Sequence, residues 1–245
     1  MYIFIDQFSM DDRSYSMICA KKANISIRFI DNRNVQTNIN TIVIGNVNDS
    51  SQIKFLSTNF KPKSIIFNDS PKEALNMFKN TRHITILNQK GVNINDYYES
   101  MSIYINNSYF NTYNNNYNLL TINQYFYNLS SLTIKYSNVQ DIIVENDDFL
   151  NFPSLKMLDI SFNELLTIEN LFSSKYKQTI IQLYMNDNRL TFIPDNFMNN
   201  FPDLKIFHVY NNFITVLDYS AVKTFFKLDE CFFFTNVSSL GMFIC

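Results

Sequence analysis

Between Leu155 and Asn236 the chain writes one order of apolar and polar positions four times. The copies read L-K-M-L-D-I-S-F-N from Leu155, I-I-Q-L-Y-M-N-D-N from Ile180, L-K-I-F-H-V-Y-N-N from Leu204 and L-D-E-C-F-F-F-T-N from Leu228. Each fits L-x-x-L-x-L-x-x-N with other apolar residues standing in for Leu. The copies close on Asn163, Asn188, Asn212 and Asn236, which are 25, 24 and 24 residues apart. Within a copy, apolar side chains alternate with polar ones, which predicts a short strand with one buried and one exposed face. Recurrence at this period predicts an α/β fold: a right-handed, horseshoe-like solenoid with one parallel concave sheet of about ten short strands. Its convex side is expected to be mostly irregular or short-helical.

One turn of such a chain cannot bury its apolar face, but stacked turns can. The spacing predicts Leu158, Leu183, Phe207 and Cys231 as one buried row and Ile160, Met185, Val209 and Phe233 as the next. The Asn after each strand stands where the chain turns inward, and its amide suits backbone groups left unpaired there. Asn163, Asn188, Asn212 and Asn236 are therefore expected to form a buried structural ladder.

Upstream the same alternation recurs in shorter, less regular form at Ile25/Ile27, Ile42/Ile44, Ile65/Phe67, Ile84/Ile86 and Ile103/Ile105. From Ile105 to Leu132 the gap of 27 residues exceeds one plain turn, and N-T-Y-N-N-N-Y-N (111–118) reads as its loop. This divides the chain into an N-terminal segment 1–23 and a repeat domain 24–245, with degenerate coils 24–128, regular coils 129–236 and a tail 237–245. The return segments bring a second pattern. F-L-N-F-P-S-L from Phe149 and F-M-N-N-F-P-D-L from Phe197 place two Phe about one turn apart, and Phe78 holds the matching position after Glu73. These Phe are expected to point inward, and Pro194 with Asp195 fits the start of a short helix.

Composition narrows the function. A net charge of -2 and a pI near 5.7 leave no basic footprint, so nucleic acid is not expected as a partner. No run reaches the roughly 18 apolar residues of a membrane helix, so membrane insertion is not expected either. The amino end lacks a basic n-region and is not read as a signal peptide. Cys19, Cys231 and Cys245 suit neither a disulfide framework nor a metal site, and Cys231, at a core position, reads as a small buried hydrophobe. Sequons begin at Asn24, Asn48, Asn68, Asn106, Asn128 and Asn236, a number that an Asn-rich chain reaches by chance. In a secretory pathway Asn48 is expected to be accessible and Asn236 to stay bare. His83 and His208 stand in no catalytic motif, so neither catalysis nor a cofactor is expected.

The stretch L-T-F-I-P-D-N-F-M-N-N-F-P-D-L-K-I-F-H-V-Y-N-N, from Leu190 to Asn212, is similar to the typical repeat of animal extracellular leucine-rich repeat proteins. I-I-F-N-D-S-P-K-E-A-L-N-M-F-K-N, from Ile65 to Asn80, resembles the degenerate first coils of secreted insect repeat proteins, including the mosquito immune type. The resemblance covers Ile25 to Asn236 and is closest in the last four coils. It implies a secreted glycoprotein of immune or receptor-like role that binds a protein ligand with its concave sheet and catalyses nothing.

On that register the concave side chains are Met157, Asp159 and Ser161, then Gln182, Tyr184 and Asn186, then Ile206, His208 and Tyr210, then Glu230, Phe232 and Phe234. Tyr184, Asn186, His208, Tyr210 and Phe232 are the candidate ligand-binding residues, because clustered aromatics are the usual anchors of interfaces. Two other classes compete with the extracellular module. One is a cytoplasmic repeat adaptor or effector, favoured by the absence of a recognisable signal peptide. The other is a degenerate product without a selected ligand.

Overall fold

The structure, a computed structural model, describes residues 2–10, 13–18, 39–45, 61–70, 72–110, 119–122, 126–144, 153–168, 179–194, 197–215, 227–234 and 242–244. Its strands are β1 (Tyr2–Met10), β2 (Arg13–Ile18), β3 (Ile39–Gly45), β4 (Ser64–Asn68), β5 (His83–Leu87), β6 (Ser102–Asn106), β7 (Leu119–Ile122), β8 (Ser131–Lys135), β9 (Asp141–Val144), β10 (Met157–Asp159), β11 (Gln182–Tyr184), β12 (Ile206–His208), β13 (Glu230–Phe234) and β14 (Met242–Ile244). Twelve of them form one open sheet in the order β14-β13-β12-β11-β10-β8-β6-β5-β4-β3-β1-β2. From β3 to β13 the nine strands are all parallel and neighbour one another in chain order, apart from β7 and β9, which lie outside this sheet. Parallel neighbours require the chain to cross back after every strand, so each repeat in the sequence is one strand plus one return.

The register shows why these residues are strands. Ile42, Ile65, Ile84, Ile103, Leu132, Leu158, Leu183, Phe207 and Cys231 stand side by side across the nine strands, none more than 4% exposed. Two positions on, Ile44, Phe67, Ile86, Ile105 and Ile134 form the second row. Ile160, Met185 and Val209 are buried at the same offset, and Ile160 N–H and Met185 N–H donate to the next turn at 2.9 and 2.7 Å. Stacking is what takes these faces out of water, at roughly 1.5–3 kcal/mol for each large side chain.

The returns carry little regular structure: a helix at Lys72–Met77 and 3₁₀ turns at Ile94–Tyr97 and Phe197–Asn200. Asn93 caps the first 3₁₀ turn by accepting from Asn95 N–H, and Phe197 N–H donates to Pro194 O at 3.0 Å. As expected, the aromatics point inward. Phe78 lies 6.3 Å from Phe67, and Phe197 packs on Phe201 at 4.9 Å and on Phe207 at 5.9 Å.

Three features were not visible in the repeat pattern. β7 and β9 pair in parallel as a second, two-stranded sheet and send Leu120 and Ile142 into the common core. The long gap between Ile105 and Leu132 thus contains a strand. Segment 1–23, set apart above from the repeat domain, holds β1 and β2, and β1 pairs antiparallel with β3. The tail holds β14, antiparallel to β13. Both ends of the parallel run are in this way covered by the chain itself, a usual answer to open strand edges. Ile25/Ile27, the 111–118 loop, Phe149, Asn48 and Asn236 lie outside the described residues. Among the described residues no helix is long and apolar enough to cross a membrane.

Candidate functional site

The turns that close each strand set the geometry of the outer sheet face. Asn163, Asn188 and Asn212 are each at most 9% exposed. Asn188 Nδ2 donates to Ile160 O of the preceding turn and to Met185 O of its own at 3.0 and 3.1 Å, while its Oδ1 accepts from Leu165 N–H at 3.0 Å. Asn212 repeats this with Met185 O, Val209 O and Leu190 N–H. Asn163 accepts two N–H groups, from Ser137 at 3.0 Å and Val139 at 3.3 Å. At each of these three positions one amide thus joins two turns.

The same register position upstream holds Ser70, Gln89, Ser108 and Ser137, all buried. Ser70 Oγ donates to Ile44 O, Gln89 Oε1 accepts from Ser70 N–H, Ser108 Oγ from Gln89 N–H and Ser137 Oγ from Ser108 N–H. A search for Asn passes over these residues. Counting five positions on from the first core residue finds them.

Immediately before the ladder residue the backbone is left-handed in every described turn from β4 to β12. The residues are Asp69, Asn88, Asn107, Tyr136, Phe162, Asp187 and Asn211, with φ from 47° to 56°. Asp and Asn tolerate this conformation, whereas bulky aromatics there are outliers. Tyr136 and Phe162 offset the cost by stacking at 4.7 Å with 21° between rings, and Lys135 Nζ lies 5.7 Å from the Phe162 centroid. Tyr136 is nonetheless half exposed. Strain of this kind gathers at functional surfaces.

This aromatic rim borders the outer face of β10–β13. Lys135 Nζ binds Asp159 Oδ2 at 2.6 Å, and Asp159 Oδ1 accepts from Ser161 N–H and Oγ at 3.1 and 2.6 Å. In register with Asp159 stand Tyr184, His208 and Phe232. His208 meets Tyr184 edge-on at 4.9 Å, lies 6.1 Å from Tyr210, and its Nε2 is 3.0 Å from Glu230 Oε1. Burial raises the Tyr184 phenol pKa, and the Glu230 and Asp159 carboxylates raise it further against the opposing pull of Lys135. Tyr210 shifts the same way, through burial and then Asp187. Both hydroxyls therefore remain protonated, as donors, well above neutral pH.

Of the five candidate binding residues, Tyr184, His208 and Tyr210 come together. Phe232 is placed beside His208 by backbone pairing. Asn186 is a correction: it is 4% exposed, and its Nδ2 donates to Asp187 Oδ2 at 2.6 Å. β11 ends at Tyr184, so by Asn186 the chain is already turning inward and strict alternation has lapsed. Ser161 is likewise 1% exposed. Lys135, Tyr136, Phe162 and Asp187 were not singled out from sequence, although the Phe and Tyr just before a ladder residue are the signal that finds them.

Replacing Tyr136 with Asn should leave stability within about 1 kcal/mol of wild type. The lost ring stacking, about 0.5–1.5 kcal/mol, is offset by relief of backbone strain of the same order. A drop of 3 kcal/mol or more in urea unfolding would show the ring to be part of the core.

Neither a scan of the chain against protein-family models nor a search of curated proteins finds a match.

Proposed function

We propose that the chain is a leucine-rich repeat protein, a right-handed horseshoe whose outer sheet face is concave, and that it acts as a non-enzymatic recognition module for a protein ligand. The observation that carries this reading is the Tyr184, His208 and Tyr210 cluster. It is seated on strands whose turns are locked by the buried Asn163, Asn188 and Asn212 amides. A rigid, preorganised face loses little entropy on binding, and Tyr supplies large amphipathic contact area with few rotatable bonds. Parallel strands β10 to β13, whose first core residues Leu158, Leu183, Phe207 and Cys231 recur every 24 to 25 residues, together with the buried Asn163, Asn188 and Asn212, support the repeat assignment. An extracellular, immune or receptor-like setting follows from the resemblance of Leu190–Asn212 to secreted repeats. The alternative is an intracellular adaptor or effector, and mapping the transcript's 5′ end separates the two.

The test is affinity capture of a partner by the wild-type chain, followed by titration of that partner against a Tyr184→Ala, Tyr210→Ala double variant. The variant should bind at least about 30-fold more weakly, roughly 2 kcal/mol, and unfold at nearly the wild-type denaturant concentration. Equal affinity would move the contact off this face.

A further inference from the structure

We infer that the partner segment seated on the outer face of β10–β13 is basic and presents arginine to Tyr184, Tyr210 and the carboxylates beside them. This rests on the recognition reading above and adds the chemistry of the ligand. On that face and in its closing turns, from Lys135 to Glu230, stand Lys135, Asp159, Asp187 and Glu230, and just past the ladder residues Glu164 and Arg189 pair with each other at 3.2 Å. Apart from that mutually neutralised pair, one cation against three carboxylates leaves -2 with His208 counted as neutral. Lys135 is committed to Asp159 at 2.6 Å. Asp187 receives only neutral amides among the described residues, Asn186 Nδ2 at 2.6 Å and Asn211 Nδ2 at 2.9 Å, so its charge is held in place and not cancelled. The Glu230 side chain is 46% exposed, and its carboxylate lies 3.0 Å from His208.

Between these carboxylates lie the two tyrosine rings, whose pKa values are raised first by burial and then by Glu230 and Asp159 beside Tyr184 and Asp187 beside Tyr210. A planar guanidinium satisfies both features at once, stacking on an aromatic face and donating in a fork to a carboxylate. A lysine ammonium supplies the charge without the plane, and an acidic segment would be repelled. Apart from Lys135, the lysines flanking these strands, Lys156 and Lys205, lie at the opposite, amino-end edge, where Lys205 pairs with Asp229 at 3.6 Å and Lys156 is exposed. The attraction for a cation is therefore concentrated toward Asp187 and Glu230.

Capped tetra-arginine, tetra-lysine and tetra-glutamate peptides, titrated against the full chain at about 0.1 M salt, test this, since screening there still leaves short-range pairing intact. Tetra-arginine should bind at least about tenfold more tightly than tetra-glutamate and measurably more tightly than tetra-lysine. An Asp187→Asn, Glu230→Gln variant, which keeps the shapes and acceptor oxygens, should lose about tenfold for tetra-arginine. The Glu230→Gln single variant serves if the double variant unfolds early. Equal binding of the arginine and glutamate peptides, or wild-type affinity in the charge variants, overturns the inference. If arginine is not preferred but the Tyr184→Ala, Tyr210→Ala variant still loses its partner, only the basic occupant fails. If that variant keeps its partner, the recognition face itself falls.

Discussion

Replacing Phe207 with Ala should lower the unfolding free energy by about 3–5 kcal/mol, the range for deleting a fully buried aromatic. Phe207 is 0% exposed, stands in the first core row between Leu183 and Cys231, and packs on Phe197 of its own return segment at 5.9 Å. The stack limits how far the void can close, because the flanking strands are pinned in register on both sides. Each turn is held mainly by its neighbours, so one hole weakens two interfaces. Phe213→Ala, removing a side chain that is 55% exposed, should change stability by no more than about 0.5 kcal/mol. Equal shifts in a urea titration would show that Phe207 is not in the core row.

Asn163→Leu should cost about 2–5 kcal/mol, and more than Asn188→Leu at about 1–3 kcal/mol, because the two positions leave different numbers of backbone groups stranded. In the Asn188 variant Leu165 N–H loses its acceptor. The three carbonyls that Asn188 serves each keep another donor: Ile160 O keeps Asn163 Nδ2, Met185 O keeps Asn212 Nδ2, and Asn186 O keeps Phe162 N–H. In the Asn163 variant both Ser137 N–H and Val139 N–H are stranded, together with Ile134 O. Asn128, exposed in a turn, is the control, with a change of no more than about 0.5 kcal/mol on conversion to Ala. The reverse order of the two ladder variants in denaturant titrations would remove this account of the turn.

The strand phrase and its period were decided by the sequence alone. Alternation places Leu158, Leu183 and Phe207 on one face whatever surrounds them, and only stacked copies can bury that face. The Asn after each strand was legible for a similar local reason, since an inward turn strands backbone groups within a few residues of it. Tyr184, His208 and Tyr210 followed from the same alternation. The tertiary structure decided what depends on neighbours distant in the chain. Ser70, Gln89, Ser108 and Ser137 continue the ladder because the adjacent turn brings an N–H or carbonyl within reach, a fact no local composition encodes. Asn186 leaves the outer sheet face because β11 stops two residues earlier. The Tyr136–Phe162 pair, 26 positions apart in sequence, becomes a single surface only when β8 and β10 lie side by side, and β1 and β14 join the sheet because an open edge there offers unpaired backbone groups to the nearest strand.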